Sequence, residues 1–254
     1  MTAALDPTGE EVMTIGAARE LADGEVVLVG VGPPNAAANL ARRLDAPDCV
    51  LVYESGAIGA QPVRLPLSIG DDDLAATALE LVSVVEMFNF WIGGGRIDVG
   101  FLGAAQIDSH ANLNTTAIGS YEQPKVRLPG AGGAPEIAAC AKSVIVIVRH
   151  SPRTFVERVA LISALGDRTE RARLKLPGGG IRLVLSPLGV FDFDDAGDMR
   201  VRSLHEGVSL EDAQAATGFE LVAPDEVPVT PPPTADELAL LRERVDVHGT
   251  LAQS

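Results

Sequence analysis

Three short runs of mostly branched aliphatic residues constrain this chain more than anything else in it: Glu25–Gly30 (EVVLVG), Cys49–Tyr53 (CVLVY) and Ser143–Val148 (SVIVIV). Each has the length and β-branched content of a buried strand. Between the first two lies a helix-length segment, Asn35–Leu44, entered through Gly30-Val31-Gly32-Pro33-Pro34, where the prolines suit a first helical turn. Strand, helix and strand in that order form a β-α-β unit, the connection that makes neighbouring strands parallel.

The rest of the chain extends this frame. Thr8-Gly9-Glu10-Glu11 reads as a capping box, opening a helix that runs to about Asp23 and stops at Gly24. Asp71-Asp72-Asp73 precedes a long predicted helix with the apolar stripe Leu74, Ala78, Leu81, Val85 and Phe88, ended by Gly93-Gly94-Gly95. Ile97–Leu102 is a further strand, and a helix is expected over Pro135–Ala141. Beyond Val148 the pattern turns more β-like: Arg182–Leu185 and Val190–Phe193 read as strands, and Asp194–Asp198 as a turn returning Met199–Leu204 as a hairpin partner. A short helix starts after Ser209, Pro228–Pro233 is a linker, and a last helix covers Thr234 to about Val245. The expected class is α/β: a mostly parallel central sheet with flanking helices and a hairpin-rich C-terminal portion. The expected organisation is one domain over 1–227, with a Pro-rich linker and C-terminal helix over 228–254 packed on it.

Composition excludes some functions. With 254 residues, 46% of them hydrophobic, the chain can bury a large core. A net charge of −15 argues against nucleic acid and against an anionic membrane surface as partners. Cys49 and Cys140 stand far apart in apolar contexts, as reduced core residues of a cytoplasmic protein do, and Met1–Glu11 lacks the basic region and apolar run of a signal peptide. His110, His150, His205 and His248 show no metal-ligand spacing, and the three consecutive acids sit where a helix cap belongs, so no metal is expected.

What chemistry remains gathers at Tyr53-Glu54-Ser55-Gly56, where an apolar strand empties into a glycine turn. A carboxylate at the end of a strand is either a solvated acid or a positioned nucleophile, and a carboxylate becomes a useful nucleophile when it is partly desolvated against an electrophile. Three glycine-rich segments, at 30–34, 103–106 and 130–134, offer backbone N–H groups that side chains do not obstruct. The last opens a helix, a ready place for an anion. Each is also an ordinary tight turn when taken alone.

An ordered set of motifs resembles the B (β) subunit of glutaconate CoA-transferase and its relatives among class I CoA-transferases. They are the Gly30-Val31-Gly32-Pro33 loop, Ala46-Pro47-Asp48, Glu54-Ser55-Gly56, Gly103-Ala104-Ala105-Gln106-Ile107-Asp108, Asn112-Leu113-Asn114, Ile118-Gly119, Pro124-Lys125, Gly130–Ala134, Leu188–Phe193 and Thr217-Gly218-Phe219. The resemblance implies a CoA-transferase-like fold. It implies that Glu54 attacks an acyl-CoA, forming first an anhydride and then a glutamyl-CoA thioester, with ping-pong kinetics. It also implies that Ser55, Gly56, Gly103, Ala104, Gln106, Gly130, Gly132 and Gly133 line the acyl site and oxyanion hole. Coenzyme A would be a substrate rather than a resident cofactor, and a separate A (α) subunit would complete a heterodimer or heterotetramer. Arg64, Lys125, Arg127 and Arg149 are weak candidates for CoA phosphates. The sequence departs from the family at Ala104 and Ala111, where glycine is usual. Relatives that act as hydrolases, decarboxylases or C–C cleaving enzymes supply a second reading. A third is a non-catalytic metabolite-binding subunit.

Overall fold

The structure is a computed structural model that describes residues 6–249 and 251. Helix α1 (Gly9–Ala18) leads to strand β1 (Val26–Leu28), helix α2 (Pro33–Ala41), β2 (Val50–Val52) and β3 (Ala57–Ile58). Next come α3 (Asp72–Thr77), β4 (Glu80–Leu81), α4 (Val84–Glu86), a π-helical segment over Met87–Ile92, and β5 (Val99–Leu102). Two small hairpins follow, β6 (Gln106–Ile107) with β7 (Leu113–Asn114) and β8 (Ala117–Gly119) with β9 (Pro124–Arg127). The C-terminal part runs through α5 (Ala134–Cys140), β10 (Ser143–Ile147), α6 (Arg168–Arg173), β11 (Ile181–Ser186), β12 (Gly189–Phe193) and β13 (Met199–Leu204). It closes with α7 (Leu210–Ala215), α8 (Ala235–Leu240) and a second π-helical turn, Leu241–Val245.

Nine strands form one sheet in the order β13-β12-β11-β10-β5-β1-β2-β3-β4. Its centre, β11-β10-β5-β1-β2, is parallel throughout, and antiparallel pairs extend it at both edges. The two-residue side-chain period of a strand then sorts the aliphatic runs. In β10, Ile145 and Ile147 enter the core on one face, while Val144, Val146 and Val148 enter the core on the other. In the first face Leu51 and Tyr53 pack with α1 and α2; in the second Val52 packs with α5 and the first π-helical segment. Leu241, Val245 and Leu251 return to the first face, so the C-terminal helix is part of that core.

The expected β-α-β unit, the capping box at Thr8, the helix after Ser209 (closed by a capping box of its own) and the β12–β13 hairpin are all present. The long helix over 74–88 is not. The chain leaves α3 at Ala78 in an extended conformation (ψ 145°) and pairs as β4 with β3. A new helix then starts at Ser83, whose side chain and that of Glu86 form their own capping box. Helical spacing of apolar residues is a misleading signal there, because Leu81 and Val85 sit on an open edge and are exposed. The first helix also ends earlier than expected, at Ala18. Of the acidic triplet, Asp71 caps α3 and holds Arg64, while Asp73 accepts from the Val63 N–H.

Candidate active site

Glu54 stands at the tip of the β2–β3 hairpin. The turn is closed by the Gly56 N–H donating to the Tyr53 carbonyl (2.9 Å) and the Tyr53 N–H donating to the Ala57 carbonyl (3.0 Å). Gly56 takes φ 104°, and a Cβ there would collide with the Val82 carbonyl, so only glycine fits. Tyr53 anchors the tip from below: its ring is fully buried, its hydroxyl accepts from Asn35 Nδ2 at 2.8 Å, and burial pushes its pKa up to about 12.

Since Tyr53 points toward α2, the next side chain is directed to the opposite face, where α5 begins. Gly133, the N-cap of α5, comes so near that a Cβ on it would lie 3.0 Å from Glu54 Oε1 and 2.8 Å from Phe88 Cζ. The third glycine-rich loop and the first π-helical segment therefore meet at this carboxylate. Glu54 is half-buried, and its pKa is raised, first by desolvation and then by the nearby charge of Glu136 in the first turn of α5. No hydrogen bond or ion pair among the described residues involves its carboxylate. It is partly desolvated, unneutralised and basic for its type.

The remaining residues separate by what their atoms already do. The Gly130 N–H is committed to the Thr115 carbonyl (2.9 Å), and the Ala134 N–H to that of Ala131 (3.0 Å). Among the described residues the N–H groups of Ala131, Gly132 and Gly133 have no such backbone partner, and Gly133 is the one the geometry sets beside Glu54. Gly130 (φ 115°) and Gly132 (φ 52°) instead need glycine for the backbone path. Gly103 and Ala104 leave the C-terminal end of β5, two places from β2 in the parallel sheet and so about 10 Å across it. That edge of an open α/β sheet is the usual place for a ligand. Gln106 is buried in the β6–β7 hairpin, where its Oε1 accepts from Asn114 Nδ2 (2.8 Å) and the Ala160 N–H (3.2 Å). Ser55 is half-buried beside Glu54 in the turn.

Ala111 is buried in the core with φ 58°, in the turn closed by its N–H on the Asp108 carbonyl (2.9 Å). Its methyl faces the protein interior, and the left-handed backbone gives a physical reason why glycine suits the position. Of the basic candidates, Arg64 is neutralised by Asp71, Arg127 lies over the Tyr121 ring, and Lys125 and Arg149 are exposed. Phe88 and Glu136 are not legible as site residues. Phe88 reads as one member of a helical stripe, and Glu136 gives no sign beyond following a glycine loop and a proline.

The coenzyme A transferase family profile matches residues 11–212. The chain belongs to the coenzyme A transferase family. Within it, the chain is of the B-subunit type. It is 51% identical to the B subunit of 3-oxoadipate CoA-transferase from Pseudomonas knackmussii, over 91% of each chain. It is 34% identical to the B subunit of glutaconate CoA-transferase from Acidaminococcus fermentans, over 94% of this chain and 92% of the other. The crystal structure of glutaconate coenzyme A-transferase from Acidaminococcus fermentans superposes with a TM-score of 0.91 at 32% identity, covering 98% of both chains. The mixed sheet with its parallel centre is therefore the CoA-transferase fold.

Proposed function

We propose that this CoA-transferase chain moves coenzyme A between an acyl-CoA and a free carboxylic acid, with Glu54 as the covalent carrier. The observation that carries this reading is the Glu54 carboxylate itself: half-buried, without a counter-ion among the described residues, raised in pKa, and beside Gly133 at the start of α5. A carboxylate oxygen of Glu54 attacks the thioester carbonyl, the C–S bond breaks, and CoA leaves as thiolate. The thiolate attacks the Glu54 carbonyl carbon of the resulting anhydride, which releases the first acid as carboxylate and leaves a glutamyl-CoA thioester. The acceptor carboxylate repeats the steps in reverse. No water is consumed and no redox change occurs, so coenzyme A serves as substrate and no resident cofactor is needed. The loop donors stabilise the oxyanion formed at each attack.

A short dicarboxylic acid is the favoured acyl class, because 3-oxoadipate and glutaconate, named for the two relatives, are both dicarboxylic acids. An A subunit is the proposed partner, in a heterodimer or heterotetramer. Leu79, Leu81, Val84, Val85 and Phe90 are exposed on the segment whose Val82 holds the Glu54 turn, and a partner covering them would also seal the site. No helix among the described residues is long and apolar enough to cross a membrane. Two free cysteines fit the cytoplasm as the working compartment.

The test is to co-express the chain with its A subunit, add an acyl-CoA, trap with borohydride or hydroxylamine, and map the modified residue by mass spectrometry. The expected adduct is on Glu54, and Glu54→Gln abolishes both adduct and exchange. Turnover to free acid or cleaved product, with no adduct and no requirement for an acceptor acid, would sink the transferase mechanism.

A further inference from the structure

A cavity of about 510 Å³ opens between the C-terminal end of α2, the segment after β3 and the second π-helical turn. Its walls include Asn39, Arg42 and Arg43, then Gln61, and finally Arg244. This is the size of a small-molecule site. It lies on the α2 face of the sheet, whereas Glu54 faces α5, and none of these residues neighbours Glu54.

Charge sets this cavity apart. The chain has 35 Asp and Glu against 20 Lys and Arg, yet three arginines and no acid line this cavity. Arg19, Arg64, Arg182 and Arg242 each hold a carboxylate within 2.9 Å. Arg42, Arg43 and Arg244 hold none among the described residues. Arg43 donates to the Asn39 carbonyl (2.8 Å), and Arg42 Nη1 reaches the Ala60 carbonyl only at 3.5 Å. The Nε of Arg42 is buried with no hydrogen-bond partner. Arg42 is half-buried while Arg43 and Arg244 are exposed, and desolvation and then the charge of Arg42 lower the pKa of Arg43. An anion among them would relieve the repulsion between these neighbouring charges. A single carboxylate neutralises one of three guanidiniums. A diphosphate carries enough charge for all of them, and its oxygens match their forked donors. The Gln61 amide, exposed at the rim, adds a neutral donor.

We propose that the Arg42–Arg43–Arg244 cavity is a binding site for a diphosphate-bearing ligand of the nucleotide class. The ligand has two possible sources: a free nucleotide, or the phosphates of a CoA molecule. Gln61 follows β3 by three residues, so the cavity lies below the hairpin whose tip carries Glu54. Only the CoA source rests on the proposed transferase chemistry.

Direct binding tests the site without reference to turnover. The enzyme assembled with its A subunit is titrated by calorimetry with inorganic pyrophosphate, ADP and CoA, as wild type and as the double variant Arg43→Gln/Arg244→Gln. Among the described residues neither side chain holds an ion pair, so the variant is expected to keep the wild-type Tm. Its affinity for pyrophosphate and ADP is expected to fall about tenfold or more, with a loss of salt dependence. If the KM for acyl-CoA rises in parallel at unchanged kcat, the bound phosphates are those of CoA. If KM stays fixed, the ligand is a free nucleotide. The proposal is overturned if pyrophosphate does not bind the assembled enzyme, or if wild type and variant bind it equally. It is also overturned if pyrophosphate binds the isolated chain but not the complex, since the arginines then serve the subunit contact.

Discussion

Glu54 combines two properties that pull against each other: burial that makes its carboxylate a better nucleophile and a raised pKa that delays its ionisation. Only the ionised form attacks, so the acid limb of kcat/KM is expected above the ordinary carboxylate value of about 4.3. Glu136→Gln removes the smaller of the two causes and moves that limb to lower pH, while the larger cause, desolvation, keeps it above the ordinary value; a pH–rate profile of the two enzymes reads the difference. Gly56 is the residue on which the geometry of the tip depends. Gly56→Ala combines a left-handed backbone with a collision against Val82, and is expected to cost at least about 2 kcal/mol. At this chain length that appears as a Tm loss of roughly 4–8 °C by calorimetry. Ala111→Gly is the contrasting case: about 1 kcal/mol of backbone relief offsets a buried methyl worth about 0.8 kcal/mol, so Tm is expected to stay almost unchanged.

The elements around the site differ in how plainly the sequence announces them. Strands β1, β2 and β10 are legible because aliphatic density alone identifies a strand buried on both faces. The hairpin β12–β13 is legible because alternation and a turn sequence coincide. The segment 72–92 is not, since its strand β4 has two residues and exists only through pairing with β3. Its one local signal is Ser83 with Glu86, a helix start inside what reads as a continuous helix. At the site, Glu54 and the 130–134 loop are legible from their motif, but their contact through Gly133 and Phe88 is a tertiary fact that no spacing encodes. The same contact yields a prediction. Gly133→Ala places a methyl against Phe88 and the Glu54 carboxylate, and is expected to lower kcat at least tenfold with little change in Tm, because Phe88 can yield but the carboxylate loses its position.

Across the whole molecule, the first and last described helices are tied to the same face of the sheet. Arg19 pairs with Glu237 and Arg242 with Glu11, so α1 and the C-terminal helix hold each other, and His205 fastens Thr230 near the start of that return. These groups set an acid response in two windows. Burial lowers the pKa of His150 to about 4 and lowers that of His205, so their contribution is present above the ordinary histidine value of about 6.5 and is lost as pH falls below it. Glu11 and Glu237 have depressed pKa values, so their contribution is lost only at lower pH, as it falls through those values. Tm measured against pH is expected to fall in two steps, and His150→Gln is expected to flatten the upper one. The two borders of the sheet tell a further story. Strand β13 is covered by its own chain, through Val201 on Val222 and Leu204 on Pro228. Strand β4 has no such cover among the described residues, and Leu79 beside it is 77% exposed. If the proposed mate covers the exposed apolar residues around β4, a chain made without it leaves them open to solvent. Made in excess of that mate, it is expected to self-associate, visible as rising light scattering that an equimolar amount of the mate suppresses. Balanced synthesis of the two chains is the expected consequence of that proposed contact.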